Sequence, residues 1–288
     1  MVVEGFILGL FAAFTFGIAD FIATIVARRL GLIRLLVVTH VAAVVLATPY
    51  LVFRADLHGI PLAYWPVFGA VSLLVLGTLV SFYKALQTGP VALVSPTVSA
   101  HIVIVILLSV LVLGEQIGIF QIVGVAAAVG GVMLASFTLD RSHRGTNRPN
   151  KALMFALAAA VGAGFFVFTL GILSREVGWF LAIYVVRLIG LGIVLAAQRA
   201  VRSQPWKEVP IKLILAAALV GALQIVGLAA YTIGAQIGMI SVVATTFSVY
   251  PIIPMVGGLF ILREKLASRQ AVGMASVLTG LLVLGMAS

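Results

Sequence analysis

The chain has 288 residues, 63% of them hydrophobic and 9% charged, with a mean hydropathy of +1.26 and a formal net charge of +10. Too few polar residues are present to cover a soluble surface, so two water-soluble domains are excluded and an integral membrane protein is indicated. The Lys and Arg residues cluster at the ends of apolar runs rather than on one face, which speaks against nucleic acid as a partner, and with no Cys there is no disulfide framework or thiolate chemistry.

Ten apolar runs are long enough to cross a bilayer, each near the roughly 20 residues that a helical span needs. Their approximate limits are 4–27, 33–53, 63–86, 90–113, 117–139, 151–174, 178–198, 211–235, 239–262 and 268–287. The runs are continuous, whereas barrel strands alternate over about ten residues, so the expected fold class is an all-α integral membrane protein. The first run lacks a basic leader and a small-residue cleavage site and is read as span 1 rather than a signal peptide.

Span 1 carries small residues at Gly5, Gly9, Ala13 and Gly17, a stripe that favours close helix packing and continues to Asp20 and Thr24. Arg28, Arg29 and Arg34 fill the first loop; span 2 holds His40 near its middle and ends before Arg54, Asp56 and His58. Span 3 starts near Trp65, an interfacial anchor, and closes on Tyr83, Lys84, Gln87, Gly89 and Pro90. Span 4 contains Pro96, which removes the bond to the Ala92 carbonyl and predicts a kink. Leu113 to Gln116 predicts a very short turn into span 5.

The longest polar segment, 140–150, separates two copies of one unit. A gap-free shift of 149 positions superposes Gln87 on Gln236, Gly89 on Gly238, Thr97 on Thr246, Ser99 on Ser248, Glu115 on Glu264, Gln121 on Gln270 and Gly131 on Gly280. A shift of 147 places Gly164 on Gly17, Arg175 on Arg28 and Arg187 on His40. The expected organisation is a first five-helix repeat over 1–139, a cytoplasmic connecting loop over 140–150, and a second, inverted repeat over 151–288. Span 9 repeats the interruption of span 4, because Pro251 and Pro254 are expected to free the carbonyls of Phe247 and Tyr250.

Assigning charges to alternate loops puts fifteen Lys and Arg residues on one side and only Arg54 and Arg175 on the other. The positive-inside bias makes the first side cytoplasmic and both termini external. Five spans copied in tandem must emerge upside down. Inverted repeats with proline-broken helices in matching places predict a secondary transporter with its site near the midplane, at the repeat interface.

Of the eight acidic residues only Asp20 lies well inside a span. Paired-carboxylate catalysis or a hard-metal cage needs a second such group, and no HExxH, GxSxG or GxxxxGK[ST] pattern occurs; the expectation is no enzyme, no cofactor and no metal. Asp20 and Arg187 are costly in a bilayer, about 2.5–3.5 kcal/mol each on insertion scales. Either they pair structurally, or they bind the amine and carboxylate of a substrate, with Asp20 an alternative coupling site. His101 and Tyr250 occupy equivalent positions beside prolines and are read as substrate contacts, whereas an isolated His such as His40 is read as packing. Thr97 and Thr246 share that helix face, and Tyr83, Gln224 and Tyr231 add polar handles; simple back-bonding to the helix is the competing reading for the hydroxyls. Phe14, Phe16, Phe21, Phe165, Phe166 and Phe168 either face lipid or line an apolar pocket. Aligned small residues, Ala127 with Gly131 and Ser276 with Gly280, indicate packing inside a monomer rather than dimerisation.

The segment Tyr83-Lys84-Ala85-Leu86-Gln87-Thr88-Gly89-Pro90, through Gly114-Glu115 to Gln121 and Gly124, returns from Tyr231 through Arg263-Glu264 to Gln270 and Gly273. On these residues the chain resembles the ten-helix EamA-type exporters of the drug/metabolite transporter superfamily. The resemblance implies a basket of helices, alternating access, location in the cytoplasmic (inner) membrane, and export of amino acids, related metabolites or drugs. It looks closest to exporters of aromatic and other neutral amino acids. Pro96 stands where the second copy has Thr245, so no complete set of substrate residues transfers.

Overall fold

The computed structural model describes residues 2–54, 60–115, 118–137, 151–200, 209–263 and 268–286. The connector 140–150, Asp56, His58, Gln116 and Glu264 lie outside the described residues. The described residues form helices α1 (Val2–Leu30), α2 (Leu32–Arg54), α3 (Trp65–Thr88), α4 (Val91–Ser99), α5 (His101–Leu113), α6 (Ile119–Phe137), α7 (Lys151–Val177), α8 (Trp179–Ala200), α9 (Ile211–Ile237), α10 (Ile240–Phe247), α11 (Ile252–Phe260) and α12 (Ser268–Met286), and no strand.

Taking α4 with α5 and α10 with α11 as broken spans gives ten crossings among the described residues, five in each repeat. Eight of them, including Leu93–Leu113 and Ile240–Phe260, have the length and apolarity of a bilayer crossing. The other two, α6 and α12, have 19 residues each, or roughly 28 Å at 1.5 Å per residue. Trp65 opens α3 after the 3₁₀ turn Leu62–Tyr64, with a proline suited to the first turn.

The repeats interlock rather than sit side by side. Helix α1 packs on α9, α10 and α11 of the second repeat, and α7 packs on α3, α4 and α5 of the first. The small-residue stripe explains how α1 gets so close. A Cβ at Gly17 would lie 2.7 Å from the Tyr250 carbonyl oxygen, and its equivalent at Gly164 would lie 3.0 Å from the His101 carbonyl oxygen. Each of these two glycines therefore receives the break in a span of the other repeat.

Helices α6 and α12 form an outer pair. A Cβ on Gly131 would come within 2.5 Å of the Gly273 carbonyl, and Ser276 Oγ donates to the Ala127 carbonyl at 3.0 Å. The aligned small residues thus serve a contact within the chain.

Two expectations about the broken spans need correction. The interruption of span 4 falls at Ala100, not at Pro96, which remains inside α4. The carbonyls of Phe247 and Tyr250 are not left free either. They accept from the N–H groups of Tyr250 at 3.2 Å and Ile253 at 3.3 Å, because the chain tightens into 3₁₀-type turns between α10 and α11.

Candidate functional site

A cavity of about 80 Å³ lies where the two breaks face each other, lined in part by Phe16, Asp20, His101, Phe166, Arg187 and Gln224. It has room for several waters. Five of the residues singled out from sequence as substrate-binding line it: His101, Arg187, Gln224, Tyr231 and Tyr250. Asp20 is also there, at 4% exposure.

Arg187 comes from α8 and Gln224 from α9, and a chain of hydrogen bonds fixes both. Arg187 Nη2 donates to Gln224 Oε1 at 3.3 Å, and Gln224 Nε2 donates to Tyr83 Oη at 3.2 Å. Tyr83 is fully buried behind Gln224 and steadies it. Among the described residues, Arg187 Nη1 is buried without a hydrogen-bond partner. An unmatched guanidinium nitrogen in an apolar site is expensive, so it is a standing donor for an incoming acceptor. Arg187 and Asp20 line one cavity, yet the hydrogen bond that Arg187 makes goes to Gln224.

His101 opens α5 directly after the break. Its Nδ1 lies 3.1 Å from the Val98 carbonyl oxygen, and a carbonyl can only accept, so Nδ1 carries the proton. In the neutral ring Nε2 is then a lone-pair acceptor, and it is buried without a partner among the described residues. An acceptor in this position suits an ammonium.

Aromatic rings complete the wall. Phe247 stacks on Tyr250 at 5.5 Å and meets Phe16 edge-on at 5.0 Å. The His101 ring lies 6.3 Å from Phe247 and 6.4 Å from Tyr250, so the repeat-equivalent residues His101 and Tyr250 meet across the cavity. Tyr231 Oη donates to the Val167 carbonyl at 2.9 Å, leaving its ring toward Phe247.

Other candidates lie elsewhere. Thr97 and Thr246 donate to the carbonyls of Leu93 and Val242, both at 2.9 Å, and neither lines the cavity. His40 is buried against Gly190 with Nδ1 on the Leu36 carbonyl at 2.8 Å, a packing position. Phe14 and Phe165 are exposed, at 58% and 45%. Phe82, Thr78 and Phe166 line the cavity. Phe82 and Thr78 had not been picked out as site residues from sequence, although Phe82 directly precedes Tyr83 and Thr78 lies five positions before it.

The EamA-like transporter family model matches residues 3–137 and again 150–286. No curated protein matches the sequence. A solved crystal structure, described only as that of a protein, is similar with a TM-score of 0.73 at 16% identity, over 99% of this chain and 97% of its own. At that identity the likeness concerns the fold alone.

Proposed function

The chain belongs to the EamA-like transporter family, and from that premise we propose that it is a secondary carrier that exports neutral amino acids with large apolar or aromatic side chains. The observation that carries the reading is Nη1 of Arg187, unpartnered among the described residues, in a cavity that also holds Asp20 and is walled mostly by rings and aliphatic side chains. Opposite charges on one cavity suit a ligand that carries both signs. The substrate carboxylate takes Arg187 Nη1, the ammonium takes Asp20 and His101 Nε2, and the side chain lies on Phe16, Phe82, Phe166 and Phe247. A small dianion would leave Asp20 facing like charge, at a cost.

Access alternates between the two membrane faces. An engineered cavity of about 150 Å³ admits benzene, so a substrate with an aromatic side chain needs a wider form of this site of about 80 Å³. Widening toward one face at a time is what an inverted repeat provides. We place the carrier in the cytoplasmic membrane as a monomer with both termini external, supported by the charge bias of the loops and by the internal use of Gly131. Reporter fusions at the C-terminus should read external and those within 140–150 cytoplasmic.

The function is tested by flux in liposomes containing the purified protein. Saturable phenylalanine or methionine transport, mutually competed and not competed by aspartate, is expected. A preference for aspartate would remove the substrate class, and flux that never saturates would indicate a pore. Drug or other metabolite export is the alternative that a panel without amino acid transport would favour.

A further inference from the structure

Near each membrane face one arginine joins two helices, and the two arginines are repeat equivalents. Arg28, at the end of α1, donates from Nε to the Leu86 carbonyl and from Nη2 to the Gly89 carbonyl, both at 3.1 Å. Arg175, at the end of α7, donates from Nε to the Ala235 carbonyl at 2.9 Å and from Nη2 to the Gly238 carbonyl at 2.6 Å. The acceptors correspond under the same shift of 149 that relates the repeats. Both arginines use their fork on the last carbonyls of a helix, groups that a helix leaves without internal partners and whose dipole favours a cation.

What matters is which helices are joined. α1 packs with α9, α10 and α11, whereas α3 packs with α7. Arg28 therefore ties one packed group to the other at one face, and Arg175 makes the reverse tie, from α7 to α9, at the opposite face. Each tie has a third bond. Gln87 Nε2 donates back to the Ala27 carbonyl at 2.8 Å beside Arg28. Near Arg175, Glu115 Oε2 accepts from the Ser241 N–H at 3.3 Å and so joins the end of α5 to α10.

The contacts between groups differ with depth. Near the midplane the groups meet through buried side chains, the His101 ring against Tyr250 and Tyr231 Oη on the Val167 carbonyl at 2.9 Å, where nothing would replace a lost contact. At the faces Arg28 and Arg175 are both exposed, so water can take over the arginine and the carbonyls when the bonds break. The centre is suited to act as a pivot and the two faces to open in turn.

We propose that Arg28 and Arg175 are the paired gating residues of the carrier: the Arg28 tie releases when the cavity opens to its face, and the Arg175 tie when it opens to the other. This rests on the alternating-access reading but not on the identity of the substrate. Both ties are made in this structure.

The absence of native Cys makes the test direct. Ala163, which lines the cavity, is changed to Cys, and a membrane-impermeant charged thiol reagent is applied to membrane vesicles from one face at a time, with no substrate present. Separate Arg29→Cys and Glu176→Cys variants, both at exposed positions, identify the two faces. Arg28→Gln should raise the labelling rate of Cys at 163 about tenfold from the Arg29 face only, and Arg175→Gln about tenfold from the Glu176 face only. Arg28→Lys and Arg175→Lys, which keep the charge but not the two-pronged donor, should shift it the same way by a few-fold and give the reading if the Gln variants do not fold. Unchanged labelling in the Lys variants, or an increase from the wrong face or from both, overturns the proposal. A failed amino acid panel leaves the labelling result standing.

Discussion

The break between α4 and α5 and the break between α10 and α11 occupy equivalent places in the two repeats and are built differently. In the first, a single residue, Ala100, separates the halves, and the proline lies four positions earlier, inside α4. In the second, Ser248 to Pro251 intervene, Pro251 caps α11, and Pro254 falls in its first turn, where a missing N–H costs little. The two features they share are a glycine from the opposite repeat against a backbone carbonyl at the break and an aromatic ring on the residue that carries that carbonyl, His101 or Tyr250. The position of the break is thus set by the interlocking of the repeats, and the prolines assist it in different ways.

Overfilling the shared feature should do the most damage. Gly17→Leu and Gly164→Leu each place a side chain where a Cβ alone already meets atoms at 2.6–2.7 Å, a cost of about 3 kcal/mol. Both variants are expected to unfold at clearly lower temperature in detergent and to lose transport; a stable, active Gly17→Leu protein would show that the interlock does not position the breaks.

Second in size are the residues that follow the breaks. His101→Ala removes the acceptor Nε2 and should weaken apparent substrate affinity about tenfold, or ~1.4 kcal/mol. Tyr250→Ala should cost a similar amount through the lost ring stack with Phe247. Uptake kinetics like those of the parent in both variants would remove the breaks from the binding site. Asp20→Asn takes away the anionic partner of the ammonium and should weaken apparent affinity by at least as much, and an unchanged affinity in that variant would leave Asp20 out of the site.

The prolines should matter unequally. Pro96→Ala restores a helical bond within α4 without touching Ala100, so transport should change less than about threefold while stability rises by about 1 kcal/mol. Pro251→Ala lets the N–H of residue 251 compete for the Phe247 carbonyl that Tyr250 now uses, and a transport loss of several-fold is expected. Equal effects in the two variants would contradict the difference drawn between the breaks.

The smallest effect lies at the far end of each broken span. Gly114, at φ 67°, ends α5 in the left-handed conformation; its equivalent, Arg263, sits at φ 53° with a side chain that disfavours it. Arg263→Gly should raise stability by about 0.5–1 kcal/mol, measured as a higher midpoint of thermal unfolding, and a lower midpoint would mean that the arginine side chain compensates the strain.

The spans, the duplication and the broken helices were legible because apolar length, a constant offset and proline leave direct traces in sequence. The location of the first break was not, since Ala100 carries no signal of its own and the glycine that meets the break comes from the other repeat. The site was legible in part. Asp20, Arg187, His101 and Tyr250 are unusual enough in an apolar span to be noticed, and all four line one cavity. Thr97 and Thr246 were equally noticeable, but a hydroxyl on a helix can satisfy itself on the preceding turn, as both do. Which pole of a ligand His101 serves depends on where its proton sits, and that follows from the Val98 carbonyl, a partner fixed by the local turn. The gating role of Arg28 and Arg175 was hidden for another reason: from sequence they register as topology signals, and their acceptors are backbone atoms.

The central claim is that the cavity holds a zwitterion by both poles, with Arg187 on the carboxylate. Its most direct test compares the affinity of the purified protein for phenylalanine, phenylalanine amide and phenethylamine, in the parent and in Arg187→Gln. Loss of a charge-assisted hydrogen bond costs about 1.5–3 kcal/mol, so the parent should bind phenylalanine at least tenfold more tightly than either analogue. In Arg187→Gln that preference should collapse, with phenethylamine affinity little changed. A parent that binds phenethylamine as well as phenylalanine, or a variant that keeps the full preference, would contradict the account.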